Sequence, residues 1–157
     1  PAPFMAKILD YIVAKTTATL LFNFIPNQHN EVAEIYNLCQ PDTQKKINLK
    51  VTAKSIREFL ALTHYCNALI GNEGGAVNMA KALNVPTFTI FSTWINKNSW
   101  NSFENGTTNV SVHLMDFKPE LYQGKSAKDM KNKALILYQE FGPELFLESL
   151  DQYITLN

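Results

Sequence analysis

The sequence predicts an α/β fold with a mostly parallel sheet and helices on both of its faces. Stretches with a helical period alternate with short apolar runs, in the order α-β-α-β-α-β-α-β. A glycine-rich turn at residues 71–75 (GNEGG) joins one of these apolar runs to the helical pattern that follows it. The 157 residues are enough for a sizeable core, so we expect a single domain over residues 1–157.

The first part of the chain supplies five of these elements. They are helices over residues 4–15, 30–39 and 53–65 and strands over residues 18–25 and 47–51. Pro41 is expected to end the second helix, because proline disrupts a helix interior. Thr52 is the first candidate for the N-cap of the third helix, and Ser55 is the second candidate.

The second part continues the alternation and then departs from it. Its predicted elements are strands over 66–70 and 87–91, a helix over 76–84, a further strand around 110–114 and two C-terminal helices around Gly142. Residues 92–108 show no period, and a loop of that length in a compact domain is usually functional or mobile. Residues 118–133 form a lysine-rich connector.

The composition is that of an ordinary globular protein. Hydrophobic residues make up 46% and charged residues 18%, and 14 basic residues balance 14 acidic ones. The zero net charge gives no sign of a nucleic-acid partner. No apolar run reaches the length of a membrane span. Cys39 and Cys66 form no metal or redox motif, and we expect two buried free thiols and a cytoplasmic setting.

The glycine turn is the main candidate for a binding site. In an open α/β sheet, ligands bind beyond the carboxyl ends of the strands. Glycines allow the backbone to approach a ligand, and the free N–H groups at a helix start attract phosphate. Residues 71–75 therefore predict a phosphate-binding turn with the acidic Glu73 beside it. The alternative is a purely structural turn, in which the negative charge of Glu73 is stabilised by the positive end of the helix dipole.

Residues 72–87 (NEGGAVNMAKALNVPT), followed by 90–92 (IFS), resemble the donor-binding stretch of the heptosyltransferases, glycosyltransferase family 9. The family pattern there is roughly N-D-[ST]-G-x-x-H-x-A-x-A-L-x-x-P-x, and then a strand that ends in Phe and a small residue. The resemblance covers roughly residues 17–115, and its specific part is residues 70–92.

The resemblance implies the C-terminal half of a GT-B enzyme, a Rossmann-like three-layer domain. In this family that half binds a nucleotide-sugar, usually ADP-heptose, and the N-terminal half binds the lipid or glycan acceptor and carries the catalytic base. It further implies inverting, metal-independent transfer in bacterial lipopolysaccharide assembly, without a cofactor and with at most peripheral membrane association. The start at Pro1 without a methionine suggests that the acceptor half is absent from this chain.

Three positions depart from the family pattern. Glu73 stands in place of Asp, Gly74 in place of Ser or Thr, and Asn78 in place of His. A hydroxyl and a possible cation near the diphosphate are thereby lost, while the backbone cradle remains. The lysine that usually precedes the first helix would lie before Pro1.

The expected substrate-binding residues follow from the turn and from the resemblance. They are Asn72, Glu73, Gly74, Gly75, Ala76, Asn78, Glu31 and Trp100. In the family an acidic residue near Glu31 holds the ribose, and the loop of Trp100 contributes to the donor side. Glu31 could equally stabilise the first turn of its own helix through the helix dipole. Trp100 could equally pack its loop against the domain. His64 and His113 are expected to be structural.

Two other functions fit parts of the pattern. A GT-B sugar-nucleotide epimerase uses similar phosphate turns but needs additional acidic and histidine residues around the sugar. A non-enzymatic flavodoxin-like nucleotide-binding domain would carry an acidic cluster at the end of the first strand. The segment 24–27 (FIPN) lacks such a cluster.

Overall fold

The computed structural model describes residues 1–157 and has the predicted α/β character. The strands divide between two parallel sheets, one of two strands and one of three, instead of the one sheet that we expected. The chain forms two compact units, Pro1–Phe59 and Leu60–Asn157, which are described separately. None of the helices combines the length and the apolar character that crossing a bilayer requires.

The first unit is mainly helical. Its elements are α1 (Ala2–Lys15), β1 (Leu20–Leu21), a 3-10 turn (Pro26–Gln28), α2 (His29–Leu38), α3 (Pro41–Lys46), β2 (Ile47–Asn48) and the start of α4 (Ile56–His64). The strands β1 and β2 pair in parallel, Leu20 opposite Ile47. Ala6, Cys39 and Ile47 form a small buried cluster, against which Leu20 and other partly buried apolar residues pack.

Three features of this unit differ from what the sequence predicted. The second helix ends at Leu38, before Pro41 as expected, but Pro41 itself begins the additional helix α3, because a proline at the first helical position gives up an N–H that would be unpaired anyway. The N-cap of α4 is Ser55 and not Thr52, since the Ser55 hydroxyl oxygen accepts the Glu58 N–H at 3.2 Å. The strand predicted over 18–25 is limited to two residues, because its partner β2 is equally short.

The second unit contains the larger sheet. Its elements are the end of α4, β3 (Leu69–Asn72), α5 (Gly75–Ala82), β4 (Thr87–Ile90), α6 (Lys97–Trp100), β5 (Asn109–Val112), α7 (Leu114–Phe117), α8 (Ala134–Glu140) and α9 (Leu147–Leu156). The strands are parallel and lie in the order β3-β4-β5. Their carboxyl ends coincide, with Asn72 opposite Ile90 and Ile90 opposite Val112.

All four residues of the central strand β4 are buried, and they alternate in character. Phe88 contacts the rings of Phe146 and Tyr153, so the C-terminal segment covers this face of the sheet. The opposite face carries Thr87 and Thr89. The Thr87 hydroxyl donates to the side-chain oxygen of Asn109 at 2.9 Å, so this face is polar although it is buried.

Two irregular stretches contain more structure than the sequence indicated. The aperiodic segment 92–108 includes the single helical turn α6. The lysine-rich connector forms 3-10 helices at Pro119–Tyr122 and Ala127–Lys133. The strand expected around 110–114 ends at Val112, because the His113 side chain caps α7 instead.

Candidate functional site

The glycine turn lies at the carboxyl edge of the three-stranded sheet, as expected. It connects Asn72, the last residue of β3, with Gly75, the first residue of α5. Between them, Gly74 has a φ of +148°. Side chains disfavour that region strongly, so the turn in this form requires a glycine at residue 74. A Ser or Thr at this position would strain the backbone of the turn.

The start of α5 is left open. No side chain caps it, and the Gly74 carbonyl accepts the Asn78 N–H at 3.2 Å to close the first turn. The N–H groups of the preceding residues, Gly75 to Val77, have no acceptor within the helix, because a helix start leaves its first donors unpaired. Gly75 is exposed and Ala76 is half-buried. This arrangement supplies backbone donors and the positive end of a helix dipole to an anion.

Glu73 is held by the neighbouring strand. Its Oε2 atom accepts the Ser92 backbone N–H at 2.9 Å, just beyond the end of β4. The side chain is half-buried. Because one oxygen is engaged, the carboxylate has a fixed orientation and its Oε1 atom remains for a further donor. Glu73 is thus a residue with a defined position and not a freely rotating surface acid.

Asn72 makes a similar cross-strand contact. Its Nδ2 group donates to the Ile90 carbonyl at 3.0 Å. Together, Asn72 and Glu73 fasten the end of β3 to the end of β4 at two successive residues. The side-chain oxygen of Asn72 remains for a ligand, whereas its amide group serves the fold.

His113 occupies the corresponding place after β5. Its Nδ1 atom accepts the Met115 N–H at 3.0 Å, which places the proton of the neutral ring on Nε2. The ring is 2% exposed, and burial lowers the pKa of His113, an effect that the nearby Asp116 carboxylate opposes. Nε2 is buried and faces the Ser92 backbone without a well-formed hydrogen bond. The cap gives this residue a structural role, as expected.

The remaining predicted residues are less constrained. Asn78 is exposed on the first turn of α5, and Trp100, at the end of α6, is 56% exposed. Glu31 lies in the other compact unit, in the first turn of α2, with its side chain exposed. The structure therefore brings together residues 72–76 and Asn78 as one contiguous junction, and it assigns no shared geometry to Glu31.

The sequence did not predict the contacts of two residues near this sheet. Ser92 fixes Glu73 through its backbone, and only the position of Ser92 after an apolar strand could have indicated it. Lys81 fits an ordinary helical pattern, yet it is only 8% exposed and donates to the Ser102 carbonyl at 2.7 Å. Burial lowers the pKa of Lys81, and the Glu104 carboxylate opposes that effect. No sequence signal distinguished it from a solvated lysine.

Trp94 has a packing role. Its ring is half-buried, and the Lys131 ammonium lies 4.7 Å from the ring centroid. No group of three or more His, Cys, Asp and Glu side chains is placed to hold a metal ion. Both cysteines are free, and burial, followed by the charge of Asp10, raises the pKa of Cys39 to about 11.

Comparison with known proteins gives no relative. The chain matches no family model, no curated protein and no solved structure.

Proposed function

We propose that this chain is the nucleotide-sugar-binding half of a GT-B glycosyltransferase of the heptosyltransferase type. Its donor would be an ADP-heptose-like sugar, and the acceptor a lipopolysaccharide or another surface glycan. The observation that carries the proposal is the junction of β3 and α5. There an open helix start and an oriented carboxylate, Glu73, lie side by side at the carboxyl edge of a parallel sheet.

In this proposal the helix start binds the diphosphate. The leaving diphosphate gains negative charge as the sugar bond breaks, and fixed N–H donors stabilise that charge without rearranging. The donors are the backbone N–H groups of Gly75, Ala76 and Val77. Asn78, one turn further along α5, is exposed and could add a side-chain amide donor.

Glu73 would bind the sugar. Its Oε2 atom is engaged with Ser92, so its Oε1 atom would accept a hydrogen bond from a sugar hydroxyl. The exposed Trp100 ring would stack on the donor. The free cysteines fit a cytoplasmic setting.

The catalytic base would belong to an acceptor-binding half that this sequence does not include. We therefore expect the 157-residue chain to bind a donor and to transfer no sugar. A purified sample that turns over any nucleotide-sugar in the presence of a glycan acceptor would contradict this division of roles.

Titration calorimetry with ADP and an ADP-sugar tests the proposal directly. Gly75→Val should abolish the binding of both ligands, because the added side chain blocks close approach to the backbone donors. The fold should tolerate it, since the nearest atom to an added Cβ is Met79 Cε at 3.9 Å. Unchanged binding in this variant would remove the turn from the site.

Glu73→Gln separates sugar recognition from nucleotide recognition. Loss of the charge should weaken the binding of the ADP-sugar by about tenfold to a hundredfold, the range for one hydrogen bond to a charged group. The binding of bare ADP should weaken much less. Glu148→Gln, an exposed acid in the first turn of α9, is the matched control. Equal loss for both ligands would favour a non-enzymatic nucleotide-binding domain.

A further inference from the structure

The segment from residue 125 to residue 136 concentrates positive charge in a chain whose net charge is zero. It contains four lysines and a single acid, Asp129. The Asp129 carboxylate is engaged locally, because its Oδ2 atom accepts the Ser126 hydroxyl at 2.7 Å. Three of the lysines are exposed and form no ion pair: Lys125, Lys128 and Lys133. Their charges therefore remain available to a partner.

Two neighbouring aliphatic side chains project into solvent directly after these lysines. Leu135 is 82% exposed and Ile136 is 70% exposed, in the first turn of α8. They are the only consecutive pair among the exposed large apolar side chains of this chain. Single exposed apolar residues are ordinary on protein surfaces, whereas adjacent ones form the start of an apolar patch.

The other side of the same segment is packed onto the domain. Ala127 and Met130 in the 3-10 helix and Leu137 in α8 are buried. The fourth lysine, Lys131, lies with its ammonium over the Trp94 ring. Because these residues face the interior, the segment is anchored along its length and presents its exposed side chains in a defined position.

The exposed side chains of this segment form one small surface. A 3-10 helix rises about 2.0 Å per residue and an α-helix about 1.5 Å, so residues 128 and 136 lie within about 15 Å of each other along the segment. We call this area the basic-apolar surface, and its members are Lys125, Lys128, Lys133, Leu135 and Ile136.

The chemistry of this surface is complementary to an anionic lipid membrane. Clusters of four or more basic residues are attracted to anionic headgroups, and aliphatic side chains enter the boundary between headgroups and acyl chains. Single-stranded nucleic acid is bound through stacking aromatic rings and arginines, and residues 125–137 contain neither. The combination of unpaired lysines with an exposed aliphatic pair therefore favours a membrane.

We propose that the basic-apolar surface binds the surface of an anionic lipid membrane. The lysines contact the headgroups, and Leu135 and Ile136 insert among them. The inference goes beyond the proposed function, because the resemblance assigns the lipid acceptor to the other half of the enzyme, whereas this contact belongs to the chain that holds the donor site. It depends on neither a nucleotide-sugar nor an acceptor.

Sedimentation with lipid vesicles tests the proposal. The 157-residue chain should bind vesicles of phosphatidylcholine and phosphatidylglycerol at low salt, and it should not bind vesicles of phosphatidylcholine alone. Raising the ionic strength from about 0.1 M to about 1 M should weaken the binding by about tenfold or more, because salt screens the lysines from the headgroups.

Two double variants separate the charged contribution from the apolar one. Lys128→Gln with Lys133→Gln should weaken binding to the anionic vesicles by about 25-fold, since each lysine near such a surface contributes about fivefold. Leu135→Ser with Ile136→Ser should weaken it by about tenfold. Both should unfold at the temperature of the parent chain, because all four side chains are exposed.

Each double variant has a matched control. Lys45→Gln with Lys46→Gln makes the same change in charge at exposed lysines of the other compact unit. Leu156→Ser removes an aliphatic side chain that is 66% exposed, in a stretch, residues 134–157, without Lys or Arg. Both controls should bind the anionic vesicles as the parent chain does.

Three results would overturn the proposal: no binding to the anionic vesicles, equal binding to the neutral ones, or parent-like binding in either double variant. Binding of a polyuridylate RNA that the lysine variant loses, without any binding to vesicles, would assign the lysines to nucleic acid instead. The assay contains no nucleotide-sugar, so its failure would leave the donor site standing, and a failed ADP titration would leave the membrane contact standing.

Discussion

In each compact unit a helix follows a strand, but the two connections differ in length and in the contacts that hold them. In Pro1–Phe59 the strands are two residues long, and the buried cluster consists of Ala6, Cys39 and Ile47. In Leu60–Asn157 the strands are four residues long, and large rings such as Phe88 are fully buried. Because buried area sets the hydrophobic contribution, the second unit has the larger source of stability.

The strand-to-helix junction of the second unit is also more constrained than that of the first unit. Before α2, a 3-10 turn replaces a glycine turn, and the Gln28 side chain accepts the Ile25 N–H at 3.1 Å. The acid that follows, Glu31, is exposed. Before α5, the corresponding acid, Glu73, is fixed by the backbone of the next strand. Glu73 therefore has a defined orientation because a neighbouring strand supplies its hydrogen-bond donor, and Glu31 has no such donor from a strand.

The largest expected effect is on the core of the second unit. Phe88→Ala should lower the free energy of unfolding by about 3–5 kcal/mol, because it leaves a cavity beside Phe146 and Tyr153. Ile47→Ala in the first unit should lower it by about 2 kcal/mol, near the lower end for such truncations. Chemical denaturation measures both values.

The same experiment tests whether residues 1–157 unfold as one domain. Trp94 and Trp100 both lie in the second unit, so tryptophan fluorescence reports on that unit, whereas far-UV circular dichroism reports on both. We expect the two signals to change together. Separate transitions would show that the units unfold independently and would contradict the single domain that we predict.

The next effect contrasts the two acids. Glu73→Ala should lower the free energy of unfolding by about 1.5–3 kcal/mol, because the Ser92 N–H loses a charged acceptor. Glu31→Ala should change it by less than about 0.5 kcal/mol, as is usual at an exposed position. Similar losses in both variants would mean that the junctions are equally constrained.

A smaller effect is expected at the helix cap near the boundary of the units. Ser55→Ala should lower the free energy of unfolding by about 1 kcal/mol, because it removes the N-cap of α4. Thr52→Ala should have almost no effect, since Thr52 lies outside the helix. Urea denaturation measures both values. A larger loss in Thr52→Ala than in Ser55→Ala would mean that Thr52 is the N-cap, as the sequence first suggested.

The smallest expected effect on stability at neutral pH comes from His113. The folded-state pKa of His113 lies below its ordinary value, mainly because the ring is buried. The unfolded chain therefore binds the proton more readily, and stability should fall as the pH falls below about 6.5. Charged groups near the ring are Asp116, Lys97 and Glu73, and the Tyr122 ring packs against it.

The measurement is the urea midpoint between neutral and acidic pH. His113→Gln should flatten the decrease in the midpoint on acidification. His29→Gln, at an exposed histidine of the first unit, should leave the decrease unchanged. An unaltered pH profile in His113→Gln would mean that another group causes the acid sensitivity.

The sequence predicted the type and order of most elements, because hydrophobic period is a local property. It also located the glycine turn, since glycines, an acid and the following helix are adjacent in the chain. It did not predict that α3 begins at Pro41, because proline both ends helices and begins them. Nor could it show that the strands divide between two sheets, which depends on pairing between distant residues.

The side-chain contacts of the site could not be predicted from the sequence either. The bond from Ser92 to Glu73 joins residues 19 positions apart and depends on strand register. The burial of Lys81 depends on the path of a loop that has no periodic signal. Function at this level therefore had to be inferred from three-dimensional contacts.

The alternating character of β4 has a consequence for how the sheet assembles. In the observed register, Phe88 faces Phe146 and Tyr153, while Thr87 and Thr89 face the polar side. A slip by one residue would reverse both faces at once. It would place hydroxyl groups against aromatic rings and an aromatic ring among polar side chains. A shifted register is therefore disfavoured once the C-terminal segment, with Phe146 and Tyr153, packs against the sheet.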